Sequence, residues 1–244
     1  MGVYRSWESL ANRIDQMLDT QGDGSGSTDQ AVAGKSISSV LNANPIVVTA
    51  TSHGRANGDI VYISGVGGCT AANGVFKVAN KSANTFELNT TDDETVAGNG
   101  AYTTGGTVYP AFTFIPDSSQ RALLTRIMVS ATNNSALAHN DYLGETALSN
   151  GVVVEVRNAD GLVKTLTPAA VTTWAQWALA AGVDIPVTDT TPGSIGAVRW
   201  SFFKDAGDGI VVNGANGEYL IARIQDDMSG LVSHEMSVKG VYTG

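Results

Sequence analysis

Three histidines are the first residues in this sequence whose chemistry needs testing. His53, His139 and His234 are spread along the chain, and no HExxH pair or cysteine pair accompanies them. Zinc sites in proteins use clustered His, Cys and carboxylate ligands at short spacings. The sequence therefore predicts no metal site and no cofactor, and we expect these histidines to lie in turns or at the surface.

A serine hydrolase is a second candidate chemistry. Ser135, His139 and Asp141 lie close together in the segment SALAHNDYLGE. No GxSxG turn or oxyanion loop accompanies them, and closeness along the chain is not the geometry of a catalytic triad. We therefore predict no catalytic residues in this segment.

Carboxylates offer two further possibilities. Glu145 and Glu155 flank a predicted strand, and two such carboxylates could form the catalytic pair of a glycosidase. Nothing in the sequence fixes the distance between the two carboxyl groups. We expect them to be solvated strand ends. Four aspartates lie in predicted turns: Asp205, Asp208, Asp226 and Asp227. Their carboxylate oxygens could bind Ca²⁺ or cap the turns, and capping is the commoner role.

Two tryptophans complete the candidate residues. Trp174 and Trp177 lie three residues apart in AAVTTWAQWALAAGVDI, a helical or irregular piece, and fall on one side of it. Such a pair is typical of a sugar-binding face, of an interface, or of partly buried aromatic residues. We predict that they contact a host or partner molecule.

Composition limits the classes of partner. The chain has 244 residues, of which 43% are hydrophobic and 15% charged, and its net charge is −9. A negative surface without a Lys/Arg run opposes nucleic-acid binding. No apolar stretch is long enough to span a membrane, and the first residues lack a cationic, apolar leader, so we expect no membrane insertion and no conventional secretion. A single cysteine excludes an internal disulfide.

The first 35 residues are predicted to form a helix followed by an extended arm. Apolar residues at steps of three and four over residues 3–18 indicate a short amphipathic helix. The polar, glycine-rich segment at residues 19–34 reads as a linker that cannot fold alone. We predict that the apolar stripe binds another subunit, through an assembly interface formed by Trp7, Leu10, Ile14 and Met17.

The next segment, residues 36–106, is predicted to be a small β module. Short β-branched and aromatic runs at residues 45–51, 59–64 and 75–78 alternate with glycine-rich turns. The flanking sequence reads as continuous strand pattern when residues 36–106 are removed. We infer that the module is inserted at a loop of another domain and projects outward.

The motif HGRANGDIVYISGVGGCTAANGVFKVANKSANTFEL resembles a repeated module of many tailed-phage virion proteins, and it is similar to the first catalytic cysteine half-domain of ubiquitin-activating enzymes. That name describes a neighbour of a catalytic cysteine domain, so the resemblance gives Cys69 no catalytic role. It implies that His53 opens a tight turn, that Gly58 and Asp59 close it, and that Asn73–Gly74 and residues 82–88 supply a later turn and strand.

Residues 107–244 are predicted to form an antiparallel β-sandwich, with jelly-roll topology as the expected arrangement. Seven strand-like runs alternate with turns such as NADG and NGANGE. Three segments resemble a family of uncharacterised tailed-phage structural proteins: DYLGETALSNGVVVEVRNADG, YLIARIQDDMSGLVSHEMSVKGVY and the opening VYRSWESLANRIDQML. The resemblance spans nearly the whole chain and implies a place in the virion.

Three functions follow as hypotheses. The first is a non-enzymatic virion protein that decorates the capsid or builds part of the tail or baseplate, with other virion proteins as partners and a homo-oligomeric state. The second is a receptor- or glycan-binding virion module. The third is an enzyme such as a glycan depolymerase, which needs two converging carboxylates that the sequence does not reveal. We expect the first.

Overall fold

The computed structural model describes residues 13–18, 34–133, 137–138, 148–158, 160–166, 170–173, 176, 188–189, 195–201, 209–226 and 231–243. In this part of the chain the fold is mainly β, as predicted, and all pairings between the strands are antiparallel. No helix among the described residues is long and apolar enough to cross a membrane. The strands are, in chain order, β1 (Arg13–Leu18), β2 (Lys35–Ser36), β3 (Ser39–Leu41), β4 (Val47–Thr49), β5 (Ile60–Ser64), β6 (Gly74–Ala79), β7 (Thr85–Asn89), β8 (Thr107–Phe114), β9 (Arg121–Asn133), β10 (Leu137–Ala138), β11 (Val152–Asn158), β12 (Gly161–Thr165), β13 (Thr188–Asp189), β14 (Ile195–Ser201), β15 (Ile210–Asn213), β16 (Tyr219–Ile224) and β17 (Leu231–Tyr242).

Two sheets pack face to face in the C-terminal part of the chain. One has the order β1-β17-β9-β14, with β15 also paired to β9. The other contributes β8, β11 and β16, and a single hydrophobic cluster fills the space between the two sheets. This is the predicted β-sandwich, whereas jelly-roll topology stays a prediction. The largest fully buried side chains of this cluster are Phe112, Phe114, Leu124 and Ile127.

Strand β8 connects the sandwich to the module. Its first half pairs with β5, from Thr107 to Pro110, and its second half pairs with β16, from Ala111 to Phe114. Pro110 lies where the partner changes, which suits a residue that has no N–H to donate to a ladder. One sheet therefore runs through both units in the order β12-β11-β16-β8-β5-β6-β7-β4-β3.

The module has a hydrophobic core of its own. Val61 and Ile63 of β5 and Phe86 of β7 are fully buried in it. Gly68 has a φ of +81°, and a Cβ there would collide with the carbonyl oxygen of Ala101, so the loop before Cys69 needs glycine. The predicted division into residues 1–35, 36–106 and 107–244 stays a prediction about independent folding.

The N-terminal helix predicted over residues 3–18 is wrong for its last six residues, which form β1. Backbone pairing runs without a break from Arg13 opposite Val241 to Leu18 opposite Met236. Helix propensity is a weak preference that tertiary pairing overrides, and here β1 pairs along the edge of β17. Ile14 and Met17 therefore lie on a strand of the sandwich, while Trp7 and Leu10 lie outside the described residues.

Candidate functional site

The face of the continuous sheet that points away from both cores carries polar and aromatic side chains. On β11 and β16 the residues alternate, so that Val154, Val156 and Leu220 enter the sandwich core. The residues between them lie on the opposite face, where Ile221 packs with Ala111 and Tyr62 in a third, small cluster. We call this surface the outer face.

A buried carboxylate with two guanidinium partners lies on the outer face. Oε1 of Glu155 accepts a hydrogen bond from Nε of Arg157 and another from Nε of Arg223, each at 2.8 Å. The Glu155 side chain is only 4% exposed, against 20% for Arg157 and 15% for Arg223. Two positive charges thus share one negative charge, and the group carries a net charge of about +1.

Tyr62 of the module lies beneath both arginines. The guanidinium carbon of Arg223 is 4.8 Å from the centre of the Tyr62 ring, and that of Arg157 is 5.1 Å away. Tyr109 stacks on Tyr62 with ring centres 6.4 Å apart. These cation–π contacts join a module strand to two sandwich strands, and each stabilises the contact by about 0.5–2 kcal/mol.

Two pKa values on the outer face are shifted. Burial raises the pKa of Tyr219 to about 12, although the positive charge of Arg157 opposes the shift. Burial lowers the pKa of Arg157, but its hydrogen bond and charge pairing with Glu155 outweigh burial and leave that pKa above its ordinary value. At neutral pH the Tyr219 hydroxyl is therefore a neutral donor beside a permanent cation.

A cleft of about 640 Å³ lies on the outer face, between the module and the sandwich. Tyr62, Asn73 and Val75 line its module side, and Arg157 and Tyr219 line its sandwich side. The volume falls in the range typical of small-ligand sites, about 300–1,000 Å³. A second cleft, of about 710 Å³ and with a more acidic lining, shares Thr91 and Gly217 with the first.

The structure corrects the expectation for Glu155. It is not a solvated strand end but a buried side chain in the middle of β11, because the pairing of β11 with β16 places Arg223 beside it. Its carboxylate is committed to two guanidinium groups, an arrangement that suits structure rather than proton transfer. Glu145 lies outside the described residues, as does the proposed triad of Ser135, His139 and Asp141.

The described candidates in the module are built into its fold. His53 is 1% exposed and packs edge-on against Phe86, and its Nδ1 accepts a hydrogen bond from the Arg55 amide. Burial lowers the pKa of His53. Cys69 is fully buried in the module core, where its thiol is closed off from a dissolved substrate.

Of the four aspartates predicted to cap turns, only Asp226 lies among the described residues, and its hydrogen bonds go to a distant loop rather than to its own turn. The Asp226 carboxylate accepts hydrogen bonds from the backbone amides of Ser149, Asn150 and Gly151, which ties two loops together. Nowhere in the described ranges do three His, Cys, Asp or Glu residues gather as metal ligands would. His234 lies within strand β17, opposite Ala131 of β9, and not in a turn. The other candidates lie outside the described residues: Asp205, Asp208, Asp227, His139, Trp174 and Trp177.

Sequence reasoning missed the residues that form the cleft and the ion cluster around Glu155 beside it. Arg157, Tyr219, Arg223 and Tyr62 were not singled out, although a signal was present. The runs VVVEVRN and YLIARIQ place charged residues inside otherwise apolar strands, where an unpaired charge is costly. Such residues predict paired charges on one face of a sheet.

Comparison with known proteins does not assign the cleft. No protein-family model matches the chain, and no curated protein sequence matches it.

Proposed function

We propose that this chain is a non-enzymatic structural component of a tailed-phage virion, which decorates the capsid or forms part of the tail or baseplate. It binds other virion proteins and further copies of itself. The resemblance of residues 53–88 and of the C-terminal part to phage structural proteins supports this proposal.

One observation carries the proposal. In the module, the residues whose side chains could take part in catalysis or metal binding form contacts that stabilise the fold. Asp59 accepts a hydrogen bond from the Ala56 amide through Oδ2, and the Asn73 side chain both accepts from the Val66 amide and donates to the Val66 carbonyl. With His53 and Cys69 buried as well, the module acts through its shape and surface.

Purified particles provide the test. We expect the chain to sediment with infectious particles of the phage that encodes it and to be present there in many copies, as measured by quantitative peptide mass spectrometry. Its presence in infected-cell lysate together with its absence from the particles would contradict the proposal.

A receptor- or glycan-binding role in the same virion is the second candidate, and the cleft on the outer face favours it. The cleft combines an arginine, tyrosines and hydroxyl side chains in a volume suited to a small ligand. Trp174 and Trp177 stay predicted contact residues. Reduced adsorption of particles carrying substitutions in the cleft, with normal assembly, would support this candidate; unchanged adsorption would contradict it.

A further inference from the structure

We propose that the cleft on the outer face binds an acidic saccharide, with Arg157 and Tyr219 holding its carboxylate. This inference rests on the second proposed function, and it names the class of glycan. It is carried by the donors that the cleft presents and by the way the strands lining it are paired.

Arg157 has hydrogen-bond donors available for a ligand. Its bond to Glu155 uses Nε alone, which leaves the four N–H groups of its two Nη atoms. Arg223 also binds Glu155 through Nε and donates from Nη1 to Gln225. Because Arg157 and Arg223 share the single negative charge of Glu155, the group keeps a net charge of about +1, and Arg157 presents it to an anion that enters the cleft.

Tyr219 adds a second donor next to Arg157. The two residues are directly opposite each other in the pairing of β16 with β11, and both line the cleft. A guanidinium and a phenol hydroxyl side by side offer donors to the two oxygens of a carboxylate. Asp160, exposed on the same cleft, carries the opposing charge and should weaken the binding of an anion.

The pairing of the surrounding strands favours a saccharide over a peptide. β5 pairs with β6 and β8, β6 pairs with β5 and β7, and β11 pairs with β12 and β16. The strand side chains that line the cleft come from β5, β6, β11 and β16, and each of these four strands is paired on both sides, which leaves no edge there for an extended peptide. β12 is an edge strand, but it reaches the cleft only with Gly161. Recognition therefore uses side chains. The cleft offers the hydroxyl groups of Ser64, Thr90 and Thr91 for sugar hydroxyls, and the partly buried Val75 as apolar surface for the sugar ring.

The test is titration calorimetry on the full chain with a tetrasaccharide that contains glucuronic acid. The matched probe is the same tetrasaccharide with its carboxyl groups reduced to alcohols. We expect the acidic probe to bind roughly tenfold or more tightly than the neutral one, and Arg157→Gln to abolish that preference. Tyr219→Phe should weaken binding of the acidic probe severalfold, and Asp160→Asn should strengthen it.

Arg121→Gln is the matched control, because it removes the same charge from an exposed residue at the start of β9. Equal losses in Arg157→Gln and Arg121→Gln would overturn the proposal, since they would reflect net charge alone. Equal binding of both probes would overturn the acidic class and leave glycan binding intact. Binding of neither probe would overturn the acidic-saccharide site, while detection of the chain in purified particles tests the structural role separately.

Discussion

Glu155 shows how individual residues hold the two units in register. A single buried carboxylate binds guanidinium groups from β11 and β16, and the same two groups lie over Tyr62 of the module. Removing a partner from such a cluster leaves uncompensated charge, which costs more than the intact cluster contributes. Glu155 is therefore the most sensitive of these residues.

We predict that Glu155→Gln lowers the free energy of unfolding by about 3 kcal/mol, because two partly buried cations lose their shared anion. Arg157→Gln should cost only about 1 kcal/mol, since Glu155 keeps Arg223. Urea denaturation of both variants measures the difference. Equal effects of the two substitutions would contradict this account of the cluster.

His53 gives the module a dependence on pH. Burial lowers the pKa of His53 in the folded state below its ordinary value of 6.5. As the pH falls, the unfolded chain therefore takes up a proton before the folded chain does. Stability is therefore greatest above about pH 6.5 and declines as the pH falls towards the lowered native pKa. In urea titrations between about pH 7.5 and 5.5, His53→Gln should lose less stability than the wild type. Parallel losses in the two proteins would show that His53 does not contribute.

Among the elements, β1 has a role that the sequence alone did not predict. It covers the edge of β17 from Met236 to Val241, and a bare strand edge promotes association with other chains. The assembly role of the first 34 residues stays a prediction, and the pairing of β1 with β17 shows how part of this segment is held. Residues 1–34 thus include a strand that completes a sheet.

Deletion of residues 1–34 should abolish incorporation into particles and leave the sandwich folded. The reason for the second part is that buried residues on β9, β11, β16 and β17 pack together in one hydrophobic cluster. Far-ultraviolet circular dichroism and particle fractionation measure the two effects, with the full-length chain expressed in parallel. Normal incorporation of the truncated chain would rule out an assembly role for this segment.

Strands were easier to predict than the cleft. The run GVVVEVRN corresponds to β11 and EYLIARIQD to β16, because apolar alternation is a local signal. The helix expected before residue 19 was wrong for Arg13–Leu18, because its apolar spacing fits a helix while the observed pairing is with distant β17. The ion cluster was missed for the same reason: Glu155 and Arg223 are 68 residues apart in sequence.

In the whole molecule, β8 joins two separate hydrophobic cores through one sheet. Val108 is buried in the module core, and Phe112 and Phe114 are buried in the sandwich core. Among the residues that the structure describes, the two cores have no member in common, so each unit has the packing that a small domain needs. Contacts on the outer face then fix how the module sits on the sandwich.

Replacement of residues 36–106 by a short Gly/Ser linker should leave a soluble, folded sandwich. The loss of Tyr62 removes the aromatic support of two arginines, which costs about 1–2 kcal/mol and lowers the thermal transition by a few degrees. Differential scanning calorimetry measures the shift. Loss of the cooperative transition would show that the module supplies part of the sandwich core.

We propose that this chain is built into a virion with its module facing outward. The most direct measurement is electron microscopy of intact, purified particles labelled with an antibody fragment raised against residues 36–106. We predict regularly spaced label on the capsid or the tail of particles that contain the chain. Particles that contain no copy of the chain, or that hold it without binding the label, would contradict the claim.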